Sequence, residues 1–255
     1  MTAFYAITLE TFTRLRRDRI FIPSLLAGIF LIFLSTTISE FTIEEVLKIM
    51  FDVGLATFNL TGSIVAILWG SKILHDAKES GSQDSQLSSP INRTTWILGK
   101  FVGLAITLAT LGLILTIIWV IALKHYDYAP IHWVHIVIYG GFVMGWIVLA
   151  ALAILVTTMA SQAIAMFAVI SAWIVGLMAE PISQILTEKT PAFSRIMVEL
   201  AVTVWNLQAF NLSRFALEPD MLGSQEIFMR FGYGIMLIIA IISATCITFS
   251  KKDLA

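Results

Sequence analysis

An all-α polytopic membrane protein is the fold class this sequence predicts, and three observations predict it. The chain of 255 residues is 58% hydrophobic and only 13% charged, against roughly 25% charged in a typical soluble domain. Its mean hydropathy is +0.89. Its apolar residues also fall into six runs, each near the ~20 residues a helix needs to cross a bilayer core. So much apolar surface cannot be hidden inside a soluble globule of this size. The same composition excludes a disordered chain.

Each element follows in order. Residues 1–19 read as an amphipathic entry helix, because Phe4, Ile7, Phe12 and Leu15 recur at helical spacing. Arg14, Arg16, Arg17 and Arg19 cluster at its end, which suits a helix lying on the inner leaflet. No small-residue cleavage site follows, so this is not a signal peptide. Six spans are expected at 20–38, 53–71, 97–123, 134–158, 163–179 and 231–250. Residues 72–96 form a loop between the second and third spans. Residues 180–228 form an outer re-entrant or interfacial hairpin before the last span.

Basic residues orient these spans. Arg14 to Arg19, then Lys72, Lys78, Arg93 and Lys100, then Lys251 and Lys252 flank three span ends. The positive-inside rule places those ends together on the cytoplasmic side. The stretch from Ile196 to Leu212 is mostly apolar but is interrupted by Glu199, Asn206 and Gln208. As a seventh span it would move Lys251 and Lys252 outside. Six spans with both termini cytoplasmic is therefore the expected topology.

Several function classes drop out on chemistry. Sixteen basic and seventeen acidic side chains leave a net charge of −1, so no basic field invites nucleic acid. Cys246 is the sole cysteine, which excludes an intrachain disulfide and a cysteine-based metal cluster. With Lys100 counted in the cytoplasmic flank, the spans are expected to hold no ionisable side chain. That argues against a proton relay or a voltage sensor. Gly99-Lys100 is followed by Phe101, so the phosphate-cradling GxxxxGK[ST] loop is missing. No nucleophile–base pair points to an intramembrane enzyme. No cofactor is expected on this chain, and any ATPase must be a separate one.

Two further patterns stand out. His125, His132 and His135 lie near Tyr126 and Asp127 between spans three and four. His132 and His135 share a helical face, and with His125 they are the candidate metal ligands. The alternative is a headgroup-level loop in which they accompany Trp133. Gly99/Gly103 and Gly141/Gly145 are GxxxG pairs, which let helices approach closely.

The loop after span two carries most information. It runs His75-Asp76-Ala77-Lys78-Glu79-Ser80-Gly81-Ser82, then Gln83 to Gln86, then Leu87-Ser88-Ser89-Pro90-Ile91-Asn92-Arg93. Pro90 restricts Ser89 to extended geometry and ends any helix there. The result is a compact polar knob that a soluble partner can receive. Glu79, Gly81, Leu87, Pro90, Ile91, Arg93, Gly99 and Lys100 fall on the pattern of the type-2 ABC exporter permeases, which the sequence resembles. Ser82 stands where that family usually has Thr, and Gln83 to Gln86 replace a more apolar stretch. Arg17-Asp18-Arg19 and Phe249-Ser250-Lys251-Lys252-Asp253-Leu254 also resemble the family's entry and ending.

The resemblance implies a pathway formed by two permease copies in a bacterial or archaeal cytoplasmic (inner) membrane, surrounded by lipid. It implies a cytoplasmic ABC ATPase subunit that handles ATP and Mg. Asp76, Glu79, Gly81, Ser82, Leu87, Pro90 and Arg93 would couple that subunit to the membrane, driving export. The outer hairpin, with Glu180, Glu199 and Glu218, would cap the exit. The alternative is a non-transporting transducer that passes conformational change to a periplasmic partner, for example in metal-centre or cofactor maturation.

Overall fold

The computed structural model describes residues 2–40, 46–82, 86, 91–125, 132–185 and 192–251. Its α-helices are α1 (Thr2–Arg16), α2 (Phe21–Glu40), α3 (Val46–Glu79), α4 (Arg93–His125), α5 (Trp133–Met159), α6 (Gln162–Ile185), α7 (Ala192–Val204) and α8 (Ser224–Ser250). Three single 3-10 turns, Leu207–Phe210, Ser213–Phe215 and Pro219–Met221, separate α7 from α8. Among the described residues, α2, α3, α4, α5, α6 and α8 are long and apolar enough to cross a membrane.

Several helices outrun the apolar stretches that announce them. α3 continues to Glu79 because its polar end is laced by i,i+4 pairs, Lys72–Asp76 at 3.7 Å and His75–Glu79 at 3.1 Å. α8 begins at Ser224, where Glu226 pairs with Arg230 at 2.7 Å. Gly81, with φ of 66°, ends the α3 extension, a left-handed geometry that glycine adopts without a Cβ clash.

α3 and α5 are the centre of the bundle. About half of each apolar window is buried, against 18% for α6 and 22% for α8, which leave most of theirs uncovered. Trp146 on α5 lies directly over Gly62 on α3, where a Cβ would stand 2.0 Å from the ring. Its indole N–H donates to Asn59 Oδ1 at 3.1 Å. Phe58 packs beside it, 4.9 Å between ring centroids. Hydroxyls deep in the bundle return to their own helix: Thr107 donates to Gly103 O, Thr116 to Gly112 O and Thr245 to Ile241 O, at 2.7–2.8 Å. Such bonds meet the requirement that polar groups in hydrocarbon be satisfied internally.

The segment before α8 folds back on the bundle as a short helical hairpin. α7 has 13 residues, about 20 Å of helix and too short to span. It runs back along α6, so that the Trp205 indole N–H reaches the Ala172 carbonyl, near the middle of α6, at 2.7 Å. Phe210 lies against Gly141, Gly145 and Gly234. The chain then returns through Phe215 and Leu222, both buried, to the start of α8.

Candidate functional site

The loop flanks singled out in the sequence meet α1 at one end of the bundle. α1 lies across α4 because its stripe Ile7, Thr8, Thr11 and Leu15 is buried. Gly99 and Gly103 make that approach close. A Cβ on Gly103 would sit 2.8 Å from the Thr8 carbonyl and 2.6 Å from Thr11 Cβ; one on Gly99 would meet Ile7 at 2.8 Å. The first GxxxG pair thus receives α1, and the second, Gly141/Gly145, receives Phe210 of the hairpin.

Close packing brings charges together. Lys100 is 1% exposed, and its Nζ stands 3.4 Å from both carboxylate oxygens of Glu10 on α1. It also lies 5.7 Å from the Trp96 ring centre, within cation–π range. Glu10 Oε2 accepts a hydrogen bond from Gln86 Nε2 at 2.8 Å, and Gln86 Oε1 accepts one from Trp96 Nε1 at 2.6 Å. Four residues from α1, the loop and α4 therefore close a ring. Trp96 in turn stacks on Phe249 at the end of α8, 5.5 Å between centroids.

A second set ties α1 to α3. Asp18 Oδ2 accepts from Lys72 Nζ at 2.8 Å, and Arg14 stands 3.5 Å from Asp76. Burial disfavours the charged form of Asp18, but the Lys72 hydrogen bond, the Ile20 backbone N–H and the charges of Lys72 and Arg14 outweigh it. The carboxyl is held below its ordinary value. These pairs are more exposed than Lys100 and correspondingly weaker.

The predicted coupling residues divide accordingly. Asp76 joins the α1–α3 set. Glu79 pairs with His75 and is largely exposed, 68% for its side chain. Gly81 is exposed, and Ser82 Oγ caps the helix end by donating to Ala77 O at 3.2 Å. Arg93 reaches away from them to donate to Ser250 O at 3.2 Å. Leu87 and Pro90 lie outside the described residues.

One expectation is overturned. Lys100 does not belong to a solvated flank: α4 begins at Arg93, so Lys100 is two turns inside it and covered by α1. The spans are not empty of charge. Sequence reasoning missed Glu10 as its partner, because the two are 90 residues apart. The visible signal was a lone carboxylate on the amphipathic entry helix. The polar stretch ending at Gln86 also has a local reason, since an apolar side chain there could not bridge Glu10 and Trp96.

The histidines have a structural use. His135 Nδ1 accepts from the His132 backbone N–H at 3.0 Å, closing the first turn of α5. The His135 ring stacks on Phe51, 5.4 Å between centroids. The side chain of His125 lies outside the described residues, and among those described no group of three His, Cys, Asp or Glu gathers to hold a metal.

Comparison with known proteins agrees with this architecture. No curated protein matches the chain. Among protein families, it matches "ABC-2 family transporter protein" over residues 7–254. That match takes in most of α1, all six long helices and the hairpin, so the chain belongs to the ABC-2 family as a transmembrane transporter subunit.

Proposed function

We propose that this chain is the membrane half of an ATP-driven exporter and that a separate cytoplasmic ATPase docks on the α1 end. The observation that carries this reading is the exposed Glu79–Ser82 knob at the end of α3, a helix whose Asp76 pairs with Arg14 of α1 while α1 is in turn paired to Lys100 of α4. Displacement of the knob then moves three helices rather than a loose loop. The α1 end also collects Arg14, Arg16, Arg17, Arg19, Lys72, Lys78 and Lys251, which supports a cytoplasmic placement under the positive-inside rule. The chain performs no chemistry itself, and ATP and Mg act through the partner.

A second copy of the permease completes the pathway in this reading. Six helices organised around α3 and α5 are too few to enclose a wide sealed pathway within one chain, whereas α6 and α8 leave most of their apolar windows uncovered. The setting is a bacterial or archaeal cytoplasmic membrane with both termini inside.

The test is coupling. The chain is purified with its ATPase, and Glu79–Ser82 is replaced by a Gly-Ser linker of the same length. ATPase activity in the reconstituted complex should lose its dependence on the membrane subunit while the variant keeps its unfolding temperature. Unchanged coupling would contradict the docking assignment.

A further inference from the structure

At the end of the bundle opposite α1, an open recess of about 620 Å³ lies between α6, the turns after α7 and the start of α8. Its size falls in the ordinary range for small-molecule sites, about 300–1,000 Å³. Glu180 on α6 forms one wall with Asn206, and Glu226 and Arg230 on α8 form the other, with Met221 and Met229 between them.

The two carboxylates are not equivalent. Glu226 Oε1 accepts from Arg214 at 2.7 Å and from Arg230 at 2.7 and 3.1 Å. Arg230 also donates to the Ala209 carbonyl at 2.6 Å. Two guanidiniums thus share the one Glu226 carboxylate, whose charge is fully engaged. The Glu180 carboxylate, by contrast, has one hydrogen-bond contact among the described residues, a neutral amide donor, Asn206 Nδ2, at 3.5 Å. Asn206 Oδ1 is already taken by the Ala209 N–H at 3.2 Å. The recess therefore holds one carboxylate, Glu180, with no cation paired to it among the described residues.

The donor set selects the kind of cation. Divalent metals take several hard oxygen ligands, and here a single carboxylate is unengaged. An ammonium needs one carboxylate and an apolar place for what it is attached to. Met221 and Met229 are 69% and 58% exposed, and their flexible thioethers adapt to varied apolar shapes. We propose that this recess binds an amphipathic molecule by its ammonium group, with Glu180 as the ion-pairing partner. Calling that molecule the cargo rests on the exporter reading above; the binding site does not.

Monodansylcadaverine, a primary ammonium on an aromatic body, is the probe. Titrated into the purified chain in phosphatidylcholine nanodiscs, it should give a saturable rise in dansyl fluorescence. Glu180→Gln should weaken binding about tenfold or more, the loss expected for one charge-assisted contact, and Glu180→Asp should recover part of it. The N-acetylated probe, which has no ammonium, should bind the unaltered chain about as weakly as the parent probe binds Glu180→Gln. That arm holds even if the variant fails to fold. Equal binding of the acetylated probe, or full affinity in a folded Glu180→Gln, overturns the site. Weaker probe binding in nanodiscs containing phosphatidylethanolamine supports the site and identifies a lipid headgroup as the ammonium source. Unchanged binding there supports a free amphiphile. Co-purification of the ATPase, scored on the same samples, fails independently if the exporter reading is at fault.

Discussion

Lys100 carries the largest electrostatic stake of any single residue at the α1 end. Its charge is buried while Glu10, its partner, is 39% exposed by side chain, so removing one or the other is not symmetrical. Glu10→Gln leaves a buried ammonium uncompensated and should cost about 3 kcal/mol, the low end for breaking such a pair. Lys100→Met leaves a carboxylate that water can reach and should cost about 1 kcal/mol or less. The double variant should be more stable than Glu10→Gln alone, a non-additivity that thermal unfolding in detergent would reveal. Simple addition of the two losses would show that the ring does not hold α1. Asp18 has a pH signature. Its folded pKa lies below the ordinary 3.8, so its contribution is present above that value and is lost as pH falls through the lower folded one. Asp18→Asn should therefore be less stable than the parent chain at pH 7, with the gap closing as the pH falls below the ordinary carboxylate range. A gap that persists or widens in acid would count against the Lys72 pairing.

At the scale of elements, α1 is a strap with unequal fastenings. Against α4 it is held by the Gly99/Gly103 approach and a buried charge; against α3 it is held by partly buried ion pairs whose cations stay half-exposed. Movement between helices is then easier at the α1–α3 contact than at the α1–α4 contact. Gly103→Ala must push α1 outward, because the new Cβ meets backbone at 2.8 Å, and overpacking of this kind costs about 1–3 kcal/mol. Hydrogen exchange across residues 4–15 should accelerate. Gly232→Ala, which meets nothing within 4 Å, is the control and should leave α1 protection unchanged. Equal behaviour of the two variants would mean that α1 does not depend on the glycine seam.

Legibility in the sequence divides along the same line. The six long helices announce themselves as apolar runs, and the α1 stripe shows in the spacing of Ile7 and Leu15. The true start of α8 does not, because the turn containing Glu226 and Arg230 is polar and is held by an ion pair that hydropathy cannot register. Nor does the exposed end of α3, for the same reason. The Glu10–Gln86–Trp96–Lys100 ring is hidden more deeply. Three of its four members read as flank or loop residues until α1 is folded over α4.

For the whole molecule, the two ends of the bundle have different chemistry. The α1 end joins a set of charged pairs to an exposed knob, and the other end is a helical hairpin beside a recess with one poorly paired carboxylate. Membership of the ABC-2 family over residues 7–254 makes this chain a transporter's membrane subunit, and the proposed reading has the ATPase act at the α1 end. Site-specific cross-linking to the ATPase tests that polarity most directly. A photoreactive group at Ser82 and, separately, one at Ser224 are compared in the assembled complex. The ATPase should be captured from Ser82 alone; capture from Ser224, or from neither position in an intact complex, would contradict docking at the α1 end.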